Sequence, residues 1–240
     1  MKLYKSLYLF LAVLLAGSLL AFTTVPQAIR KVRLKMETKT LQKGTYSKVQ
    51  SEVFYRFDQG TMVQHYTYPV EFFFLSNDRG EAKIYDPKHN TISIKQGKSF
   101  SSENNYLYYF LSNNANDLGF KEQGFQLQNT RFENGYMVTD WLPPRNLSKT
   151  FAQVEMVHEN YLPIFIRFID AKGATLKKVY YYQYQQFDKV SIPMRVTQID
   201  FFTEVDSSIT KTSFSELKTG DASEHEYFNY QVPDNARVVE

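Results

Sequence analysis

From Val32 the chain alternates: Val32, Leu34, Met36 and Thr38 are interleaved with Arg33, Lys35, Glu37 and Lys39. A period of two sends successive side chains to opposite faces of an extended strand, so the run reads as a half-buried strand with a basic outer face. The same period returns along most of the chain and commits it to an antiparallel β architecture. After Gly44, a second run puts Val49, Ser51, Val53, Tyr55 and Phe57 on one face. Asp58-Gln59-Gly60 is a hairpin signal, and 62–68 is its returning strand, broken by Pro69. Residues 72–75 are a continuous apolar run closed by Asn77-Asp78-Arg79-Gly80; short strands at 83–85 and 91–95 flank a turn at Asp86-Pro87.

The rhythm changes at Ser101. Within 103–112, Tyr106 pairs with Phe110 and Leu107 with Leu111 at a spacing of four, a helical stripe for which Ser101 or Ser102 would be the cap. A second helical turn is expected around 117–121. Strands then resume at 125–132, 136–142, 150–158, 164–170 and 175–187, with a last hairpin from 192–203 and 208–217. Neither a repeat nor a linker interrupts them, so residues 25–240 read as a single domain: a large antiparallel sheet with one short helical insertion.

Ahead of it, Lys2 and Lys5 precede an almost unbroken apolar run from Leu7 to Leu20. A charged start followed by a stretch this short is the pattern of a secretory signal over 1–24. The competing reading is an uncleaved anchor continuing to Val25, against which the basic residues Arg30, Lys31, Arg33 and Lys35 argue. The chain contains no cysteine, which excludes disulfides, thiolate catalysis and Cys-based metal sites. An exported domain of this size without disulfides fits a Gram-negative periplasm. Net charge is +3 and falls by two without Lys2 and Lys5, too little for a phosphate-binding face, so nucleic acid is not an expected partner.

With 18 Tyr, 20 Phe and 1 Trp, the aromatic share reaches 16%, which brings enough apolar area both to fill a core and to line a cavity. Catalysis finds little support. His65, His89, His158 and His225 sit in separate segments without metal-ligand spacing, and no Gly-x-Ser-x-Gly elbow or phosphate loop occurs. No cofactor, metal site or enzymatic activity is expected. Arg56 shares strand parity with Lys48, Gln50 and Glu52, which places it on a solvated outer face; the competing reading puts it with Phe54 inside a cavity as a polar gate. A curved sheet with one aromatic helical insertion suggests a cup and a lid.

Three segments resemble the periplasmic outer-membrane lipoprotein carrier (LolA-like) family and its lipoprotein-sorting relatives. They are Tyr68-Pro69 followed by the 80–87 hairpin Gly-Glu-Ala-Lys-Ile-Tyr-Asp-Pro, Leu162-Pro163 through Arg167 and Asp170 to Gly173, and the close from Phe228 through Pro233 to Val239. Their order and spacing agree with the family across 62–240. Two features depart from it: 31–40 alternates like a strand where the family opens with an amphipathic helix, and the family's Arg-Pro after the second long strand is missing. Arg56 is the nearest arginine to that position.

The resemblance implies an unclosed antiparallel half-barrel whose concave face is covered by short helices, a monomer carrying lipoprotein acyl chains or a related lipid. Its donor would be an inner-membrane transporter and its acceptor an outer-membrane receptor. The cavity wall is then expected from Val53, Tyr55, Phe57, Tyr66, Phe72, Phe74, Ile84, Ile166 and Phe168, with Tyr106, Leu107 and Phe110 on the lid. The alternative is a lipid-sensing or protein-interaction module on the same half-barrel, without transfer; a filled barrel with purely structural duties is the blandest reading.

Overall fold

A computed structural model describes residues 29–239 except 104, 105, 113, 188, 189 and 204. The expected signal and the anchor reading therefore fall outside the described residues. Among the described residues, fourteen strands form one open sheet: β1 (Lys31–Gln42), β2 (Thr45–Arg56), β3 (Thr61–Tyr68), β4 (Phe72–Asn77), β5 (Glu81–Asp86), β6 (Thr91–Gln96), β7 (Gln126–Glu133), β8 (Tyr136–Leu142), β9 (Gln153–Glu159), β10 (Leu162–Ile169), β11 (Thr175–Phe187), β12 (Val190–Phe201), β13 (Ser207–Thr219) and β14 (Arg237–Val238). The expected 31–40 and 175–187 strands are both there. The 150–158 strand starts later, at Gln153, because the chain after Pro144 is folded into turns through Leu147 N–H and Thr150 N–H.

The spatial order is β14-β6-β5-β4-β3-β2-β1-β13-β12-β11-β10-β9-β8-β7. Two meanders, β1 to β6 and β7 to β13, are thus stitched side by side through β1 and β13, whose long register runs antiparallel from Val32–Thr219 to Gln42–Ser208. This order leaves β6 near one edge of the sheet and β7 at the other. The connection 97–125 has to cross the whole sheet, and it does so over one face, where it carries the helix α1 (Tyr106–Leu111). The chain leaving β13 in mid-sheet must likewise travel to reach β14, which pairs parallel to β6, and it crosses the opposite face. Each face of the half-barrel therefore has its own cover.

The two covers seal two separate apolar clusters. Under α1 and its flanks lie Val32, Leu34, Val53, Tyr55, Trp141, Val154, Met156, Ile166, Val179, Tyr181, Ile192 and Phe214. On the outer face, Phe54, Val63, Phe73, Tyr85 and Ile92 are buried with Phe228 of the C-terminal segment. Among the described residues no helix is long and apolar enough to cross a membrane.

Candidate functional site

The register defines the inner face row by row. Tyr55 lies opposite Val32 and Met62, Val53 opposite Leu34 and Gln64, and Ser51 opposite Met36 and Tyr66. Farther out, Tyr66 faces Phe72, Gln64 faces Phe74, and Phe74 faces Ile84. On the other wing Ile166 lies between Met156 and Val179, and Phe168 between Val154 and Lys177. Because alternation is strict between these pairs, Val53, Tyr55, Tyr66, Phe72, Phe74, Ile84, Ile166 and Phe168 all present to the same face. Phe57 follows β2 in a single 3-10 turn and joins them edge-on against Tyr55, ring centroids 4.1 Å apart.

The strap 97–125 covers this face unevenly. Val53, Tyr55 and Ile166 are buried beneath it, whereas Tyr66, Phe72, Phe74 and Ile84 are only half-buried. Tyr66 and Phe72 stack at 4.1 Å and with Phe74 and Ile84 form an aromatic and aliphatic strip toward the β5 wing. The strap is held by side chains rather than by its own helix. Phe110, 1% exposed, sits edge-on between Tyr181 at 5.5 Å and Tyr184 at 6.0 Å, and Leu107 is buried in the same cluster. Tyr108 stacks on Phe57 at 6.2 Å, and Phe120 packs on Trp141 at 5.7 Å. Tyr106 begins the helix.

Ser101 and Ser102, the expected caps of α1, precede it in the strap. They tie the beginning of the strap to neighbouring turns, Ser101 Oγ donating to the Asp78 carbonyl at 3.0 Å and Ser102 Oγ to the Gly60 carbonyl at 2.8 Å. The expected helical turn at 117–121 is a set of tight turns, with Phe120 N–H donating to the Asp117 carbonyl at 2.9 Å. There Gly119, at φ +75°, lies so close to Tyr109 that a Cβ would stand 2.2 Å from its Cζ. His158, one of four histidines in separate segments, shows no role in the sequence. It is buried on the inner face, and its Nε2–H donates to the Asn116 carbonyl of the strap at 2.8 Å. Burial pushes its pKa down, against the opposing pull of that carbonyl. It thus remains neutral at neutral pH.

The tyrosines of this face are neutral as well. Burial raises the Tyr55 and Tyr184 phenols, and Tyr184 Oη donates to the Pro163 carbonyl at 2.5 Å. Burial, and after it the Glu103 carboxylate, push the Tyr108 phenol up to about 12. Neutral phenols and hydrocarbon dominate this face, and the Lys177 beside Phe168 is paired with Asp200 at 3.4 Å, so an apolar ligand could be buried there without leaving a charge unpaired.

Arg56 is not part of it. As the neighbour of Tyr55 on an extended strand it points to the opposite face, and there Nη1 donates to Asn229 Oδ1 at 2.6 Å. The gate role gives way to a clamp on the C-terminal segment. Phe54 shares that face: His225 stacks on it at 4.9 Å, and Tyr227 and Phe228 meet it edge-on at 5.5 and 5.6 Å. Tyr230 stacks on Phe73 at 4.1 Å, and Lys31 pairs with Glu224. The sequence carried a sign of this cover that alternation alone missed. Val53-Phe54-Tyr55 and 72–75 are apolar without interruption, which strands show when both faces are buried. Among the described residues no group of three His, Asp or Glu side chains is placed to hold a metal ion.

An open antiparallel half-barrel with a strap across its inner face defines the class: this is the LolA-like fold, in a divergent form. Solved structures of that kind superpose on most of the chain. A putative outer membrane lipoprotein-sorting protein domain from Vibrio parahaemolyticus matches 83% of this chain and 89% of its own at a TM-score of 0.55 and 17% identity. A LolA superfamily protein from Nitrosomonas europaea matches 82% and 91% at 0.54 and 13% identity. A DUF1329 family protein from Desulfovibrio piger matches 84% and 90% at 0.57 and 11% identity. At such identities the likeness is one of fold. No protein-family model matches the chain, and no curated protein matches it in sequence.

Proposed function

We propose that this protein is a non-enzymatic periplasmic carrier that binds the acyl chains of lipoproteins, or a related lipid, on its inner face beneath the strap. The observation that carries this reading is a largely apolar sheet face whose cover is a separate crossing segment with a six-residue helix, anchored by a few aromatic side chains. The chemistry demands such a device. An acyl chain of about 14 methylenes costs roughly 11 kcal/mol to expose to water, at ~0.8 kcal/mol per CH₂, so a carrier has to enclose it and still release it. A strap that swings aside reconciles the two. The fold shared with a putative lipoprotein-sorting domain supports this choice of ligand.

In this reading Val53, Tyr55, Phe57, Ile166 and Phe168 form the wall exposed when the strap opens, Tyr66, Phe72, Phe74 and Ile84 form its entrance, and Tyr106, Leu107 and Phe110 belong to the lid. An inner-membrane transporter would load the protein and an outer-membrane receptor would unload it. The test is native mass spectrometry of the chain purified from periplasm without detergent, followed by capture of a fluorescent triacylated lipopeptide. A lipid-sized adduct and stoichiometric capture are expected, with capture lost in Tyr55→Glu and in the half-buried Phe74→Glu. A folded chain that carries no adduct and takes up neither lipopeptide nor an apolar dye would refute the carrier and leave a filled structural barrel. Capture joined to stable binding of a protein partner, without transfer to acceptor vesicles, would mean a sensor.

A further inference from the structure

The outer face of the sheet is ordered in layers at the end where β1 turns into β2 and β12 into β13. Nearest the tips, Tyr46, Leu41 and Ile209 lie side by side in register across β2, β1 and β13. Two residues back along each strand, Lys48, Lys39 and Lys211 form a second row, again directly opposite one another. The two rows enclose a groove of about 310 Å³ lined by Lys39, Thr40, Leu41, Tyr46, Ile209 and Lys211. Beyond the apolar row, the β12–β13 turn projects Phe202, 55% exposed, and Val205, 98% exposed, while the β1–β2 turn carries the exposed Lys43.

Like charges directly opposite each other on neighbouring strands destabilise a sheet. Three lysines in one row are therefore a cost, offset locally in part, Lys48 lying 5.3 Å over the Tyr68 ring. Glu37, one row deeper, relieves part of it, with carboxylate oxygens 2.6 Å from Lys39 and 3.5 Å from Lys48, and Asp206 lies 3.3 Å from Lys43. The apolar row is likewise left in water, with Tyr46 and Leu41 exposed.

We propose that this end of the half-barrel docks on the surface of a bilayer containing anionic phospholipid. Residues two apart on a strand are separated by about 7 Å along its axis. That offset matches the depth of an interfacial anchor: apolar side chains reach the boundary between headgroups and acyl chains while lysines stay level with the phosphates. The apolar residues occupy two separate hairpin tips at one end of the sheet, as a planar surface requires. A second copy of the chain meeting this patch around a two-fold axis would bring lysine rows together, which argues against self-association. The inference goes beyond the inner-face reading and does not rest on it, since the lysines and the exposed apolar residues involved lie on the other side of the sheet or in its turns.

The test is flotation of the full chain with phosphatidylcholine vesicles, with and without phosphatidylglycerol. Binding is expected only with phosphatidylglycerol and is expected to weaken with salt. The triple variant Lys39→Gln, Lys48→Gln, Lys211→Gln should weaken it about a hundredfold, from roughly fivefold per lysine near an anionic surface. Val205→Asp, at a fully exposed turn position where folding is not at stake, should weaken it as well. Tyr55→Glu, which addresses the inner face, should leave it unchanged. Binding that ignores phosphatidylglycerol, or that survives both the triple variant and Val205→Asp, would overturn the proposal. So would an equal loss in the charge-matched variant Lys88→Gln, Lys121→Gln, Lys149→Gln, or a vesicle-free dimer that Val205→Asp dissociates.

Discussion

Replacing Phe110 by alanine tests whether the strap is a unit that can open by itself. The ring is almost wholly buried between Tyr181 and Tyr184, at centroid distances of 5.5 and 6.0 Å, and belongs to a six-residue helix. A helix so short has no stability of its own, so docking alone holds it in place. Removing a buried Phe side chain costs about 3–5 kcal/mol. Charged wholly to the closed strap, even the lower figure multiplies its open population by about a hundred, since ~1.4 kcal/mol is a factor of ten. The sheet should hardly notice, because its ladders do not pass through α1.

Amide hydrogen exchange separates the two outcomes. The N–H groups of Ser112, Asn114, Phe120 and Phe125, bonded within the strap at 2.8 to 2.9 Å, should exchange about a hundred times faster, while those of β1, β12 and β13 keep their protection. Trp141, the chain's single tryptophan, packs under Phe120 and should shift its emission to the red as the strap lifts. If strap and strands lose protection together, the strap is an integral part of one cooperative core, and the opening on which the carrier reading depends is wrong.

Other perturbations address single contacts. Gly119→Ala must pay both for a positive φ and for a Cβ 2.2 Å from Tyr109 Cζ, whereas Gly135→Ala, at φ +85° with open space around it, pays for conformation alone. Thermal melting should show the first to be the costlier by at least about 1 kcal/mol. His158 titrates in the folded state below its ordinary value of about 6.5, because burial disfavours its cation. Full stability is therefore expected above that value and should fall as the pH drops through the depressed folded-state pKa. His158→Gln should flatten that acid limb of a melting-temperature profile, and a profile identical to the parent's would remove His158 from the account. Arg56→Ala loses the bond to Asn229, worth about 1–2 kcal/mol, and should make 220–239 sensitive to protease while lipopeptide capture stays unchanged. Lost capture with an intact C-terminal segment would restore Arg56 as a gate.

How much was legible depended on whether a feature was local. The strands were, because alternation needs only neighbours in sequence: 175–187 and the basic-faced strand from Lys31 both stand where the pattern put them. The inner-face set was legible for the same reason, since one parity choice in β2 propagates through every register pair to Phe74 and Ile84. Which strands become neighbours was not. Nothing near Val32 announces that β1 pairs with β13, at the far end of the chain. Arg56 and Phe54 were misjudged for this reason. Parity placed them on the face opposite Tyr55, but only the path of the C-terminal segment decides that this face is covered.

That pairing explains why a segment crosses the inner face at all. Joining β1 to β13 puts β6 and β7 at opposite wings of one sheet, so the connection between them has to span the inner face and cannot be a tight turn. At its start the segment is tied to the sheet, Ser102 N–H donating to the Asn77 carbonyl at 3.0 Å; beyond that its described backbone bonds are local, in isolated turns and six residues of helix. Its attachment over the centre of the face therefore rests on side chains such as Phe110, Phe120 and Tyr108, with the bond from His158 to Asn116. The outer cover differs in kind, because β14 adds ladder bonds to β6 and Arg56 and Lys31 clamp its course. Among the described residues, the outer crossing alone joins the sheet as a strand. In the proposed carrier reading an apolar ligand would compete with that segment for the same hydrocarbon surface, so the topology that buries the face would also make its cover the first element to yield.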